Sequence, residues 1–217
     1  LFGFVTVVGN ISAKDVTVYK ISGNTSVGGL IGEYHGKGTI EVQHLKVKYI
    51  SGTTNVGGMM GYALNGKVYI PNASVENGEI KCVQSCGGVI GKLANSEFSL
   101  SNLNVRTDSI IGKNYIGGIV GLMEFSISTA TSELRQIINY VKNLQFDKST
   151  DSGDYIAGGV VGRLRLPGAN TTAYVDFSQI ISVVEHMDLR NINSGFIAQI
   201  TRGDDEAKRR ISMTDIL

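Results

Sequence analysis

The sequence contains no tryptophan, only two prolines and only two cysteines among its 217 residues. Disordered linkers are rich in proline and poor in apolar residues, so a chain with two prolines and 42% hydrophobic residues is expected to fold throughout. Two cysteines are too few for the disulfide framework of a small secreted domain. No run of eighteen apolar residues is present, so we expect no direct membrane insertion.

An excess of charge is also lacking, because 20 basic residues face 19 acidic ones and leave a net charge of +1. No stretch concentrates one sign, so a nucleic-acid partner is not expected. Cys82 and Cys86 have no second cysteine pair or nearby histidine to complete a zinc site. They are either two ordinary small side chains or, if the chain turns between them, a disulfide.

Glycine is abundant, with 28 residues, and much of it falls into a repeat. Five hexapeptides place a glycine pair before two apolar residues and a third glycine: VGGLIG, VGGMMG, CGGVIG, IGGIVG and AGGVVG. Their glycine pairs are Gly28 and Gly29, Gly57 and Gly58, Gly87 and Gly88, Gly117 and Gly118, and Gly158 and Gly159. The pattern lacks the lysine of a phosphate-binding loop and the order GxGxxG, so the repeat indicates a solenoid rather than a nucleotide site.

A second pattern runs in phase with the first and has apolar residues at its first, fourth and sixth places, as in IPNASV and LSNLNV. Its third place is always asparagine or histidine: Asn10, His44, Asn72, Asn102, Asn143 and His186. Such side chains both donate and accept hydrogen bonds. We predict that they form a buried ladder at a bend, bonded from one coil to the next.

Together the two patterns predict an all-β fold, a parallel β-helix or solenoid of about seven coils with a repeat of about 30 residues. The crossover rule for parallel strands predicts a right-handed coil. We expect residues 1–217 to form a single β-helix segment. Because the chain opens with LFGFVTVVGN rather than with methionine, we expect it to be a fragment of a longer protein.

Two repeats are longer than the others. The distance from the glycine pair to the ladder residue grows from 15 or 16 residues to 26 after Gly117 and 28 after Gly158. We therefore predict long loop insertions at about 124–136 and 165–179, leaving the same corner of consecutive coils. In the first, apolar residues at helical spacing follow Ser132, a candidate N-cap, and predict a short helix.

The insertions are also expected to bind a partner, because loops at one corner of a solenoid build a common face. They mix apolar and charged residues as recognition surfaces do. The candidate partner-binding residues are Leu134, Arg135, Arg165, Leu166, Tyr174 and Asp176.

The repeated hexapeptide resembles the GLUG motif, found in bacterial surface proteins, including IgA-specific metallopeptidases, and in large adhesin-like extracellular proteins of other microbes. The match rests on the five hexapeptides and on the asparagine column. The resemblance implies an extracellular or cell-surface location and a stalk-like or adhesive role. It does not imply catalysis, because the peptidase signature HExxH is absent from this sequence.

We therefore expect a non-catalytic structural or adhesive module, serving as a rigid spacer and as a protein–protein assembly or adhesion surface, with no cofactor or metal. A protein, a neighbouring domain or another subunit is the expected partner, and a glycan is a second candidate. The alternative is a carbohydrate-active enzyme, a polysaccharide lyase or glycoside hydrolase, that uses the long-loop face. Two sets of acidic residues motivate that alternative: Asp147, Asp151 and Asp154 in one turn, and Asp176, Glu185 and Asp188 one coil later.

Overall fold

A computed structural model describes residues 2–6, 8–125, 129–147, 154–166, 172–188, 192–201 and 208–217. Within these ranges the regular structure is entirely β-strand. The strands are β1 (Phe2–Val5), β2 (Ile11–Ala13), β3 (Val16–Ser22), β4 (Val27–Gly28), β5 (Ile31–Tyr34), β6 (Lys37–Ser51), β7 (Val56–Gly57), β8 (Met60–Leu64), β9 (Lys67–Ile70), β10 (Ala73–Lys81), β11 (Ser85–Gly87), β12 (Ile90–Ala94), β13 (Glu97–Gly112), β14 (Tyr115–Gly117), β15 (Val120–Glu124), β16 (Thr129–Phe146), β17 (Ile156–Gly158), β18 (Val161–Arg165), β19 (Thr172–Met187), β20 (Ile192–Ser194), β21 (Ile197–Thr201) and β22 (Lys208–Ile216).

The strands form three parallel sheets, each visited once in every repeat. Sheet I has seven strands in the order β1-β5-β8-β12-β15-β18-β21, and sheet III has six in the order β20-β17-β14-β11-β7-β4. Sheet II has nine strands, including the long β6, β13, β16 and β19. Stacked parallel strands that return to each sheet in chain order are consistent with a β-helix or solenoid.

The glycine hexapeptides make the corner between sheets III and I. Their first glycines pair in one line: Gly28, Gly57, Gly87, Gly117 and Gly158. The reason for glycine is close approach of main chains, since no glycine among the described residues has a positive φ. A Cβ built on Gly91 would lie 2.5 Å from the backbone nitrogen of Val56. No side chain therefore fits between β12, which contains Gly91, and β7, which contains Val56.

Sheet II covers the longest part of each repeat and bends twice. In β13 the buried side chains alternate at Phe98 and Leu100, step by three to Leu103, alternate as far as Thr107, and step by three again to Ile110. Each step of three marks a bend that keeps apolar side chains facing inward. The interior is filled mainly by valine, isoleucine and leucine from all three sheets.

The predicted buried ladder is wrong. Asn72 and Asn102, expected at its centre, are exposed to solvent. The column does not stack in one line either, because Asn143 pairs with Ser109 and His186 rather than with Asn102. Two members of the column still bond to a neighbouring repeat: Oδ1 of Asn10 accepts from the Thr39 N–H at 3.2 Å, and Nδ2 of Asn143 donates to the Asp108 carbonyl at 3.2 Å.

The other predicted ladder residues are also at the surface. Asn10 and His186 are exposed, and His44 and Asn143 are half-buried. The residues that stack with Asn102 share a left-handed φ of 51–55° instead: Asn102, Gln136, Gln179 and Asp215. A bend, rather than a polar ladder, is therefore what this position provides.

The insertions are shorter than predicted, and the predicted helix is wrong because β16 runs through it. Gly117 pairs with Gly87, thirty positions earlier, whereas Glu133 pairs with Ser99, thirty-four positions earlier. Only four residues are therefore added at this corner, between β15 and β16, and the predicted range 124–136 is too long.

The second insertion is also smaller than the predicted range 165–179, because β19 begins at Thr172. Val161 pairs with Val120, forty-one positions earlier, and Thr172 pairs with Thr129, forty-three positions earlier. This loop is thus two residues longer than its predecessor. A separate lengthening lies at the next corner: Phe146 pairs with Gly112 across thirty-four positions, but Ile156 with Tyr115 across forty-one.

Two asparagines do lie inside the stack, although neither belongs to the predicted ladder. Nδ2 of Asn77 donates to the Gly88 carbonyl at 2.8 Å and to the Thr107 hydroxyl at 3.0 Å. Asn139 repeats the arrangement with the Gly159 carbonyl at 2.8 Å and the Ser182 hydroxyl at 3.0 Å. Each asparagine ties a strand of sheet II to the glycine corner of the following repeat.

Cys82 and Cys86 form a disulfide with a Cα–Cα distance of 5.8 Å. Both side chains are buried at the corner between β10 and β11. The turn between these strands brings the two cysteines together, so the structure selects the disulfide among the alternatives that the sequence left open. The bonded sulfurs are not available to a metal ion.

Candidate functional site

The loop corner lies where β15 leads into β16 and where β18 leads into β19. Glu124 pairs with Arg165, and Thr129 pairs with Thr172, so both ends of the two loops are neighbours. Residues 126–128 and 167–171, in the middle of the loops, lie outside the described residues.

The predicted partner-binding residues divide into buried and exposed groups. Leu134 and Leu166 lie in the core, with 0% and 6% of their surface exposed, so neither can contact a partner, and these two assignments are wrong. Arg135 and Arg165 are exposed, and Tyr174 and Asp176 are half-buried. Leu134 occupies an inward position in the alternation along β16. Leu166 directly follows β18 and also lies in the core.

Beside the loop corner, the outward side chains of sheets I and III converge on a concave cleft of about 370 Å³. We call it the corner cleft. Its charged and aromatic lining consists of Lys92, Tyr115, Glu124, Arg163 and Arg165. Its neutral polar lining consists of Asn55, Gln84, Ser85 and Asn114.

The cleft is concave because the hexapeptide corner brings two outward positions face to face. One is two residues before the first glycine of each hexapeptide, and the other directly follows the third glycine. They meet in the first hexapeptide, where the Ser26 hydroxyl donates to Glu33 at 3.0 Å. They meet again where Nη1 of Arg163 donates to the Tyr115 hydroxyl at 2.7 Å. Between these two contacts the smaller Asn55 and Ser85 leave the cleft open.

Glu124 accepts from two cations at the edge of the cleft. Lys92 lies 2.9 Å from one carboxylate oxygen, and Arg165 lies 2.8 Å from the other. Burial raises the pKa of the Glu124 carboxyl, but the hydrogen bond and charge of Lys92 and the charge of Arg165 outweigh burial, so that this pKa lies below its ordinary value. Glu124 is therefore ionised at neutral pH and is shared by two positive side chains.

Arg163 and Tyr115 form the opposite wall. The guanidinium lies 5.0 Å from the centre of the tyrosine ring and donates to its hydroxyl, which in turn donates to Asp154 at 3.0 Å. Burial and the hydrogen bond to Asp154 raise the pKa of Tyr115, so the phenol keeps its proton. Nε of Arg163 is buried and has no hydrogen-bond acceptor within the described part of the chain.

A second groove, of about 430 Å³, lies on the sheet II side of the loop corner and is acidic. Its carboxylates include Glu133 and Asp176, which pair directly across β16 and β19. The Ser99 hydroxyl donates to Glu133 at 2.5 Å, and the Ser178 hydroxyl donates to Asp176 at 3.1 Å. Like charges directly opposite each other destabilise a sheet, so this pair is a feature that folding alone does not favour.

The outer face of sheet II carries a third groove and an apolar patch. The groove, about 510 Å³, opens beside Gly78 and is flanked by Lys48 and Arg106. The patch consists of Ile138, Ile181 and Val183, whose exposed fractions are 54%, 43% and 47%. Ile138 pairs with Ile181, so the patch crosses two neighbouring strands.

Across the residues that the structure describes, no group of three or more histidine, cysteine, aspartate or glutamate side chains could hold a metal ion. In the acidic turn proposed from the sequence, Asp147 lies 3.7 Å from Lys81 and Asp154 accepts from Tyr115, whereas Asp151 lies outside the described residues.

Lys92, Tyr115 and Arg163 were not predicted from the sequence. A usable signal was present, because Lys92 and Arg163 each directly follow the third glycine of a hexapeptide, and Tyr115 lies two residues before a first glycine. Listing these two positions for all five hexapeptides would have placed the three residues at one corner.

None of the described residues forms a helix long and apolar enough to cross a membrane. No protein-family model matches the chain, and neither a curated protein nor a solved structure shows significant similarity to it.

Proposed function

We propose that the chain is a non-catalytic module of a secreted or cell-surface protein, a rigid spacer that also presents a surface for adhesion or assembly. The observation that carries this proposal is the unbroken in-register stack. Sheet I contains seven strands in chain order, and parallel neighbours about 4.8 Å apart give a length of roughly 30 Å. We further propose that the stack is a right-handed parallel β-helix of about seven coils.

An oxidising location is supported by the buried disulfide between Cys82 and Cys86, because such bonds persist mainly in extracellular and periplasmic proteins. The resemblance of the hexapeptides to the GLUG motif supports the same location. Buried tight corners and a core of stacked apolar residues suit a spacer, because each repeat stabilises the next.

The binding surface of this module is the loop corner, with Arg135 and Arg165 exposed beside it. The partner is a protein, a neighbouring domain or a glycan. Exposed Ile138, Ile181 and Val183 on the adjoining outer face of sheet II add apolar surface of the kind that interfaces use.

Removal of one whole repeat tests the spacer. Deleting residues 58–87 joins Gly57 to Gly88 and keeps a complete hexapeptide, so neighbouring strands can pair again in register. The variant should fold and be shorter by about one strand spacing of 4.8 Å, measured by small-angle X-ray scattering. Deleting only residues 58–72 removes half a repeat and should prevent folding. If both variants unfold alike, the repeats are not independent stacking units.

A glycoside hydrolase or lyase is the second candidate, and the paired carboxylates of Glu133 and Asp176 favour it. Acidic and neutral polysaccharides incubated with the protein would be assayed for new reducing ends. Activity that disappears in Glu133→Gln and Asp176→Asn variants would establish the enzyme. No activity on any polysaccharide of the panel would leave the acidic groove without a catalytic role.

A further inference from the structure

We propose that the corner cleft binds the carboxylate of an acidic sugar, such as a uronic acid residue of a polysaccharide. The inference rests on the proposed adhesive function and names the chemistry of its ligand.

Positive charge exceeds negative charge inside the cleft. Among the described residues, the lining contains the cations Lys92, Arg163 and Arg165 and one carboxylate, Glu124, which is shared between Lys92 and Arg165. The side chains of Lys92 and Glu124 are only 22% and 23% exposed, so water screens their charges less than at an open surface. Asp154 at the rim accepts from the Tyr115 hydroxyl, which in turn accepts from Arg163.

Arg163 supplies a positive charge at the wall of the cleft. Its Nε is covered by protein atoms, so a ligand carboxylate would meet the outer edge of the guanidinium. Guanidinium groups bind planar carboxylates through two parallel hydrogen bonds. The cation is held in place by Tyr115, so little freedom would be lost on binding.

The neutral polar part of the lining suits hydroxyl groups, and Leu122 adds one apolar side chain. Amides of Asn55, Gln84 and Asn114 and the hydroxyl of Ser85 combine donors and acceptors. A sugar ring needs both, because each of its hydroxyls donates and accepts. The cleft volume of about 370 Å³ falls in the range of small-molecule sites.

One carboxylate inside the cleft fits this balance better than phosphate, and the other carboxylates of a longer acidic chain would lie outside the cleft. Three cations against Glu124 and the rim residue Asp154 leave a small positive excess. A dianion would exceed this excess and would lie close to the ionised Glu124. A carboxylate with neutral hydroxyls around it matches both parts of the lining.

The test is a calorimetric titration of the whole chain with trigalacturonic acid at low salt. Galactotriose, which lacks the carboxylates, and inorganic phosphate are titrated in parallel. Trigalacturonic acid should bind measurably, galactotriose and phosphate at least about tenfold more weakly, and Arg163→Met should weaken trigalacturonic acid binding about tenfold or more. Lys142→Met removes an exposed cation outside the cleft and should bind like the parent chain.

Lys92→Met is the second cleft variant and should also weaken binding if Arg163→Met fails to fold. Equal binding of galactotriose or phosphate, equal binding by the Lys92→Met or folded Arg163→Met variants, or no binding of trigalacturonic acid would overturn the proposal. The repeat-deletion experiment reports on the spacer without any sugar, so failure of the cleft proposal is distinguishable from failure of the proposed function.

Discussion

Replacing Asn77 by alanine should lower the free energy of unfolding by about 2–4 kcal/mol, because it disrupts hydrogen bonds in the interior. Asn77 is 4% exposed, and its amide donates to both the Gly88 carbonyl and the Thr107 hydroxyl. Loss of the amide leaves buried acceptors unpaired at a cost of about 1–3 kcal/mol. The cavity left by the missing side chain adds about 1 kcal/mol.

A double-mutant cycle separates the bond from the cavity. Asn77 and Thr107 interrupt a column of valines, since Asn77 pairs with Val47 and Thr107 pairs with Val141. Asn77→Val alone leaves the Thr107 hydroxyl and the Gly88 carbonyl unpaired, whereas the double variant with Thr107→Val removes the hydroxyl as well. The double variant should therefore be more stable than the sum of the single effects predicts, by about 1 kcal/mol.

Urea unfolding followed by far-ultraviolet circular dichroism measures both effects. The matched control is Asn72→Ala, which removes an exposed asparagine from β-rich surroundings and should change stability by less than about 0.5 kcal/mol. If Asn77→Ala unfolds at the same urea concentration as the control, the interior is not packed as described. An unchanged slope with urea shows that both variants still unfold as the parent chain does.

Three further predictions concern acid, steric close approach and the disulfide. The pKa of the Glu124 carboxyl lies below 4.5 in the folded state, so the stability that its ion pairs contribute is present above that pH and is lost as the pH falls. The thermal midpoint of the protein should therefore drop between about pH 5 and 3, and this drop should be smaller in the Glu124→Gln variant. Gly118→Ala should cost about 3 kcal/mol or more, because its Cβ would lie 2.0 Å from the Gly159 carbonyl oxygen, whereas Gly195→Ala, with nothing within 4 Å, should be nearly neutral in the same melting assay. Replacing Cys82 and Cys86 together by alanine should cost about 2 kcal/mol for so short a loop, and equal urea midpoints with and without reductant would contradict this.

The hexapeptides could be located from the sequence because close approach of main chains admits only glycine, and that requirement repeats in every copy. Repetition of a residue type did not predict burial for the asparagine column. Asn102 is exposed and Asn77 is buried although both are asparagine, because the neighbours in space decide whether an amide faces water or another strand. The long spacing from Gly117 to Asn143 also predicted a single insertion, whereas the structure has two, one of four residues before β16 and one of seven residues after it.

The false helix has a geometric cause. Where β16 bends, the inward positions step by three, from Leu134 to Ile137, and a step of three is also a helical spacing. Ile138 then appears to extend the helical stripe although it lies on the outer face, and Asn139 is buried although it is polar. Two hexapeptide positions could have located the lining residues of the corner cleft, but not its opening, which depends on the smaller residues at 55 and 85 lying between larger neighbours in space.

The three corners of each repeat differ in whether they accept extra residues. At the glycine corner the main chains leave no room for a side chain, so an added residue there has nowhere to go. The corner between β15 and β16 has accepted four extra residues, and the corner between β16 and β17 seven more, without loss of strand pairing on either side. A foreign binding loop grafted between the buried Phe125 and Thr129 would therefore be carried by a scaffold whose register is fixed at the glycine corner.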